Sequence, residues 1–340
     1  MNERYNFDIS PSFGKSLSIG ELKRHPEDFK VAESLSFTPS GDGDHVYLRI
    51  QKTGCNTDWV ADQLASLAGL KQVDVGYAGM KDRHAVTCQW FSLHMPNQPE
   101  PDWSTLPPEI QVLENTRHNK KLRTGAIEKN SFELIIRDVS GDMGEIERRL
   151  SAIKHQGFPN YFGPQRFGNQ GANVYKLAGM AQGRRRISKT QRSMFISSGR
   201  SYLFNQILKE RVESGTWNQA IAGDVMALQG SRSVFVPEAI DQTIIDRVSQ
   251  QDIHPAAMLW GSGQIKTSLD AGDIEEKMIA SYPAIIIALE KVGVEMAYRS
   301  MRISVPDLAW ESRVNELQLN FSLVSGAYAT SLLNEFVSIS

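Results

Sequence analysis

The sequence predicts an α+β protein whose sheet is mixed or antiparallel. Segments that alternate apolar and polar residues, which indicate strands, are interleaved with segments whose apolar residues recur at helical spacing. The order lacks the regular strand–helix–strand repeat of a parallel α/β fold. The length of 340 residues exceeds one typical domain and suffices for two.

The first half of the chain contains most of the predicted elements. Thr57 to Ala68 predicts a helix because its apolar residues share one face, with Thr57 or Asp58 as the N-cap. Met143 to His155 predicts a second helix for the same reason. The predicted strands are Val46 to Lys52, Val73 to Ala78, Gln89 to Met95 and Phe132 to Arg137.

The pattern changes near Gly157. Phe158 to Gly168 combines four glycines or prolines with aromatic residues, which is typical of a structured connection. Ser188 to Glu213 then predicts a long helix interrupted at Gly199, and strand-like alternation returns between Leu317 and Leu323. The sequence therefore predicts a first domain that is interrupted by a second and completed by the final residues.

The composition is ordinary for a globular protein. The hydrophobic content is 41%, the net charge is −2, and the longest apolar run, Ala284 to Leu289, is far too short to span a membrane. Cys55 and Cys88 provide no disulfide framework or metal set, so we expect reduced thiols in a cytoplasmic protein. Positive residues gather at Arg117, Lys120, Lys121 and Arg123, and at Arg184, Arg185, Arg186, Lys189 and Arg192.

The most informative segment runs from Gly79 to Gln89. It places one carboxylate, Asp82, between Lys81 and Arg83. Two neighbouring positive charges favour the ionised form of that carboxylate, which suits a nucleophile or a base rather than an acid. The triplet alone is also compatible with a solvated surface turn.

The longer string Gly-x-Lys-Asp-Arg-x-Ala-x-Thr-x-Gln resembles the signature of the TruD family of tRNA pseudouridine synthases. The resemblance implies that the chain isomerises a uridine in the D-arm of tRNA, at position 13, to pseudouridine. It also implies that Asp82 is the nucleophile, that tRNA is the partner, and that neither a cofactor nor a metal is required.

Further blocks resemble the same family and imply substrate contacts. Pro26 to Glu33 matches a pattern whose phenylalanine, here Phe29, contacts the target nucleotide, with Lys23 close by. Gly125 to Phe132 matches another pattern, in which Asn130 and Phe132 share one face of a strand and read and stack on a base.

The remaining implied contacts are Tyr328 and Lys81. Tyr328 stands in the C-terminal block Gly326 to Ser331, where the family often has phenylalanine. The substitution keeps the ring but adds a hydroxyl group that needs a partner. Lys81 is the cation next to Asp82 in the signature and is expected to contact the substrate.

The resemblance also implies a fold and a domain plan. We expect a pseudouridine-synthase-type catalytic domain formed by residues 1–156 and 306–340, and an inserted α/β TRUD domain formed by residues 157–305. We expect a monomer.

Two questions stay open at the level of sequence. Asp82 either attacks a carbon, C1′ or C6, or removes a ribose proton. A non-catalytic tRNA-binding protein or RNA chaperone with the same fold is the alternative to an enzyme. The motifs of a zinc deaminase, a Rossmann methyltransferase and a P-loop protein are not found in the sequence.

Overall fold

The structure, a computed structural model, describes residues 4–180 and 187–340. Arg184, Arg185 and Arg186 of the second positive group lie outside the described residues. The chain forms two compact units, each discontinuous in sequence, which we call the sheet unit and the helical unit. The sheet unit comprises Leu17–Met143, Asp307–Gly326 and Ser338–Ser340, and the helical unit comprises Met1–Ser16, Gly144–Pro306 and Ala327–Val337.

The sheet unit contains a ten-stranded sheet. The strands are β1 (Ile19–Leu22), β2 (Phe29–Leu35), β3 (His45–Thr53), β4 (Val75–Tyr77), β5 (Val86–His94), β6 (Ile110–His118), β7 (Ile127–Ser140), β14 (Ala309–Arg313), β15 (Glu316–Val324) and β16 (Ser338–Ile339). Seven of them lie in the order β14-β15-β7-β2-β5-β3-β6, while β1 pairs with β7 and β16, and β4 pairs with β5. Most pairs are antiparallel, but β2–β5 and β1–β16 are parallel, so the predicted mixed sheet is confirmed.

One face of this sheet is covered in part by α1 (Thr57–Leu67). Val60 and Leu64 of the helix are fully buried in a cluster with Leu48 and Phe91 of the sheet. Helix α1 begins where predicted, but neither proposed N-cap is used: Asn56 occupies the cap without a side-chain hydrogen bond. The Thr57 hydroxyl group is engaged elsewhere, in the candidate site described below.

The elements of the helical unit are α2 (Met143–Gln156), β8 (Phe158–Pro159), α3 (Ala172–Met180), α4 (Lys189–Glu213), β9 (Val225–Leu228), β10 (Val234–Phe235), α5 (Gln242–Ser249), β11 (Ile253–Leu259), α6 (Leu269–Ser281), α7 (Pro283–Val292), β12 (Ala297–Ser300), β13 (Arg302–Ile303) and α8 (Ala329–Leu333). Four of its strands form a sheet in the order β10-β9-β11-β12, and β8 and β13 form a two-stranded sheet.

Helix α4 organises the core of the helical unit. Tyr202, Phe204 and Leu208 on this helix are buried in a large apolar cluster. The predicted interruption at Gly199 is wrong, since α4 continues through it. A Cβ atom at Gly199 would lie 2.1 Å from Cδ2 of Leu177, so the glycine serves close helix packing rather than helix termination. The predicted inserted domain, residues 157–305, stays a prediction.

Candidate active site

Asp82 lies in the loop between β4 and β5 of the sheet unit. Its Oδ2 atom forms an ion pair with the ammonium group of Lys23, and its Oδ1 atom accepts a hydrogen bond from the His84 main-chain N–H at 3.0 Å. The Asp82 side chain is 31% exposed, so the carboxylate is held but still accessible to a ligand.

These contacts determine the charge of Asp82. Partial burial acts to raise the pKa of the carboxyl group, but the hydrogen bond and charge of Lys23, together with the His84 N–H, outweigh it and lower the pKa below its ordinary value. The carboxylate is therefore ionised at neutral pH and acts as a hydrogen-bond acceptor only.

Lys23 has an unusual backbone conformation for its place after β1. Its φ angle is +65°, in the left-handed region that residues other than glycine rarely adopt. The same side chain lies over the Phe29 ring, with its Nζ atom 4.1 Å from the ring centroid. Lys23 thus links the carboxylate of Asp82 to the first of the predicted substrate-contacting rings.

A fully buried lysine holds the main chain of Asp82. The ammonium group of Lys52 donates hydrogen bonds to the carbonyl oxygens of Asp82 at 2.9 Å and Cys55 at 2.7 Å. Burial lowers the pKa of Lys52. The position of the loop is thus fixed independently of the Asp82 carboxylate.

Thr57 on α1 and Gln89 of the signature on β5 support the same loop. The Thr57 hydroxyl group donates to Gln89 Oε1 at 2.9 Å and accepts from the Lys81 main-chain N–H at 2.9 Å. Gln89 Nε2 donates to the carbonyl oxygen of Gly79 at 3.3 Å. Thr57 and Gln89 are both fully buried. Gln89 therefore supports the loop from within the core.

Lys81 is oriented by two residues that face each other across the sheet. Glu33 on β2 pairs in register with Asn130 on β7. The Lys81 Nζ atom lies 3.1 Å from Glu33 Oε2 and donates to Asn130 Oδ1 at 2.5 Å. Burial raises the pKa of Glu33, although the charge of Lys81 and a hydrogen bond from the Trp90 N–H oppose that shift.

Three phenylalanine rings lie next to this polar group. Phe132 packs edge-to-face on Phe29, with centroids 6.1 Å apart, and stacks on Phe321 at 5.1 Å. Phe29 is 8% exposed and Phe132 is 9% exposed. The rings form one firmly packed aromatic group whose remaining exposed surface is small.

Sequence comparison identifies a family. A family model described as tRNA pseudouridine synthase D (TruD) matches residues 15–181 and 176–336. A tRNA pseudouridine synthase D from Methylococcus capsulatus is 44% identical over 333 residues, which cover 97% of this chain and 94% of that protein. A relative of the same name from Hydrogenovibrio crunogenus is 40% identical over 331 residues, which cover 96% of this chain and 95% of that protein. The chain belongs to the TruD family.

A solved TruD structure shares the fold. The crystal structure of a TruD protein from Methanosarcina mazei has a TM-score of 0.71 with this chain at 19% identity, covering 98% of this chain and 95% of that one. Family membership confirms the predicted enzyme class, a pseudouridine synthase, which is an isomerase.

The predicted site residues of this TruD chain fall into two places. Direct contacts join Lys23 to Asp82 and Phe29, Phe29 to Phe132, and Lys81 to Asn130, all within the sheet unit. Tyr328 belongs to the helical unit, where its ring lies 6.1 Å from the Phe162 ring.

Sequence reasoning missed Glu33 and Lys52. Glu33 follows Phe29 and Val31 at alternate positions of β2, so it occupies a buried face of the strand. Lys52 likewise follows Leu48 and Ile50 on β3. A charged residue at an inward position of a strand is the signal that indicates both residues, because such a charge needs a buried partner.

Residues 4–180 and 187–340 contain neither a metal-binding cluster of side chains nor a helix able to cross a membrane. Within those ranges, no group of three or more His, Cys, Asp or Glu side chains is arranged to hold a metal ion. No helix there combines the length and apolar character that crossing a membrane demands.

Proposed function

We propose that this chain isomerises a uridine in the D-arm of tRNA, at position 13, to pseudouridine, and that Asp82 is the nucleophile. The names of relatives that are 40% and 44% identical over nearly the whole chain support tRNA as the substrate. The uridine position follows from the resemblance of the signature around Asp82.

The observation that carries the proposal is the state of the Asp82 carboxylate. It is ionised, paired with Lys23 and anchored at Oδ1, and it remains 31% exposed. A carboxylate that served only to stabilise the fold would gain nothing from this exposure. A nucleophile or base needs all three properties: negative charge, fixed position and access to a ligand.

The reaction breaks the N1–C1′ bond of uridine and forms a C5–C1′ bond. The hydrogen on C5 leaves as a proton and N1 gains one, so the conversion is redox-neutral. Asp82 either attacks C1′ or C6 or removes a ribose proton, and either route requires its ionised form. Lys23 keeps the carboxylate in that form.

The target uridine has to leave the RNA stack, which costs a few kcal/mol. Stacking on an aromatic ring offsets about 1–3 kcal/mol of that per base. We assign this contact to Phe29, Phe132 and Tyr328. Because Asn130 accepts from Lys81 through its carbonyl oxygen, its amide NH₂ group is available to donate to a uracil carbonyl.

Mapping the modified position tests the proposal. An unmodified tRNA transcript with uridine at position 13 is incubated with the protein, and pseudouridine is located by carbodiimide labelling and primer extension. We expect one new stop at position 13, and none in a transcript with cytidine there. Asp82→Asn should abolish the stop, whereas Asp42→Asn, at an exposed loop position, should not.

Two results would contradict parts of the proposal. Pseudouridine at another position would overturn the D-arm assignment. Tight tRNA binding without any pseudouridine, across a full pool of cellular tRNA, would favour the non-catalytic tRNA-binding protein instead.

A further inference from the structure

Two arginine side chains of the helical unit lie against one aromatic ring. The guanidinium carbon of Arg299, on β12, is 4.1 Å from the centroid of the Phe162 ring, and that of Arg166 is 5.3 Å from the same centroid. Such distances are typical of cation–π contacts. Both arginines keep part of their surface exposed.

The ring that carries them is rigidly placed. The main-chain N–H of Phe162 donates to Asn205 Oδ1 at 2.9 Å, and the Phe162 carbonyl oxygen accepts from Asn205 Nδ2 at 2.9 Å. Phe162 also packs edge-to-face on Phe204, with centroids 5.5 Å apart. Phe162 therefore serves as a fixed platform for the two guanidinium groups.

The two arginines concentrate positive charge. Burial lowers the pKa of Arg299 to about 10, and the positive charge of Arg166 contributes to that decrease, against an opposing effect of Tyr328. Arginine side chains carry a positive charge at neutral pH, so the two guanidinium groups repel each other. Their mutual repulsion is a cost that a bound anion would relieve.

Arg166 has hydrogen-bonding capacity to spare. Its Nη1 atom donates to the neutral hydroxyl group of Ser197 at 3.1 Å. Its Nε atom is buried and has no hydrogen-bond partner among the described residues. Within those residues, no carboxylate forms an ion pair with Arg166. A buried N–H group of a charged side chain is energetically unfavourable without an acceptor, so binding of a ligand that supplies an acceptor is favoured.

Tyr328 borders the same cluster. Its ring is packed so closely on Gly163 that a Cβ atom there would lie 2.9 Å from Tyr328 Cδ1. Tyr328 is the residue of the helical unit to which the proposed function assigns a nucleotide contact. A nucleotide that reached Tyr328 would bring its phosphate groups into this neighbourhood.

We propose that Arg166 and Arg299 form a binding site for the RNA backbone phosphate of the substrate, built on the Phe162 ring. This inference rests on the proposed function, since it takes tRNA as the ligand. The planar guanidinium group binds phosphate oxygens in a bidentate manner, and two such groups on one platform provide the charge and the donors for one phosphodiester.

The salt dependence of tRNA binding tests this site. The dissociation constant of an unmodified tRNA transcript is measured from about 50 to 200 mM salt for wild type, Arg166→Gln and Arg299→Gln. We expect affinity to fall roughly tenfold in each variant, because a charged hydrogen bond is lost. We expect the slope of log K against log salt to become shallower by at most about 0.7 to 0.9, the change for the loss of one whole phosphate contact, because the second arginine remains.

Two controls separate a phosphate contact from other effects. Arg232→Gln removes an exposed charge in the turn between β9 and β10 and should leave the slope unchanged. Arg166→Lys keeps the charge but loses the planar fork, so a phosphate site should retain the wild-type slope. A purely structural arginine would give Lys and Gln variants that behave alike.

The outcomes are distinguishable from those of the proposed function. Wild-type slopes in folded Arg166→Gln and Arg299→Gln proteins would overturn the phosphate site, even if the wild type forms pseudouridine. An equal loss of slope in Arg232→Gln would also overturn it. If Arg299→Gln fails to fold because its bond to Asn160 is lost, Arg166→Gln decides alone. A shallower slope without any pseudouridine formation would leave the site intact and overturn the function.

Discussion

Lys52 donates a hydrogen bond from a fully buried ammonium group to the main-chain carbonyl of Asp82, 2.9 Å away. The contact fixes the backbone of the candidate nucleophile, while its carboxylate is held by a different lysine, Lys23. One lysine therefore sets the position of Asp82, and the other sets its charge.

Replacing Lys52 by methionine should separate the position of Asp82 from its charge. The variant keeps the side-chain volume but leaves the carbonyl oxygens of Asp82 and Cys55 without their donor. Each unsatisfied buried group lowers the stability by about 1–3 kcal/mol. We expect a lower free energy of unfolding in urea and a single-turnover isomerisation rate reduced by roughly tenfold or more. Lys30→Met, on an exposed lysine of β2, should change neither quantity by much. A wild-type rate in Lys52→Met would show that the anchor is irrelevant to catalysis.

The Glu33–Lys81 pair should be strongly coupled. Its side chains are 0% and 13% exposed, whereas the cross-strand Lys30–Glu133 pair is 49% and 60% exposed. A double-mutant cycle with Glu33→Gln and Lys81→Met, measured by urea unfolding, should give a coupling energy of about 2 kcal/mol. The same cycle on Lys30 and Glu133 should give less than about 1 kcal/mol. Equal coupling in both cycles would contradict the structural role of Glu33.

Removing Lys23 should shift the acid limb of the pH–rate profile. Burial alone would raise the pKa of Asp82, and the hydrogen bond and the charge of Lys23 are the main interactions that lower the pKa instead. In Lys23→Met the carboxylate should therefore remain protonated to a higher pH, and the rate should begin to fall at a higher pH than in wild type. Single-turnover rates between pH 4 and pH 8 measure the shift. An acid limb at the wild-type position would mean that another ionisation controls the rate.

Glu275 in the helical unit should make stability depend on pH. Burial raises the pKa of its carboxyl group to about 7, against hydrogen bonds from the Thr267 hydroxyl and the Met258 N–H. A raised carboxyl pKa means that its stabilising contribution is complete at pH below 4.5 and is lost as the pH rises towards 7.

The difference in unfolding free energy between wild type and Glu275→Gln should change by an amount on the order of 3 kcal/mol across that window. Glu276→Gln, at the exposed neighbouring position, provides the control. A difference that is independent of pH would show that Glu275 titrates normally in the folded protein.

Local patterns predicted much of the fold. The inward faces of α1 and α2 were predictable because apolar residues recur there at helical spacing. These residues, Val60, Leu64, Ile146 and Leu150, are all fully buried. The interruption at Gly199 was wrong because sequence does not reveal that Leu177 packs against that glycine.

The site was predictable in part. Asp82 lies in a contiguous signature, so its segment stood out in the sequence. The contacts of Glu33 with Lys81 and of Lys52 with Asp82 depend on strand pairing and on a loop 30 residues away in sequence, which no local pattern contains. The placement of Arg166 and Arg299 on the Phe162 ring was not predictable for the same reason, because 133 positions separate the two arginines in the sequence.

The most direct test of the central claim is tritium release from unmodified tRNA labelled at C5 of uridine. Formation of the C5–C1′ bond must expel that hydrogen. We expect release by wild type and none by Asp82→Asn, with tRNA binding by the variant within about threefold of wild type, since the substitution removes a charge but little volume. Normal release by Asp82→Asn would contradict the role of Asp82, and no release by a folded wild-type protein that binds tRNA would contradict the isomerase itself.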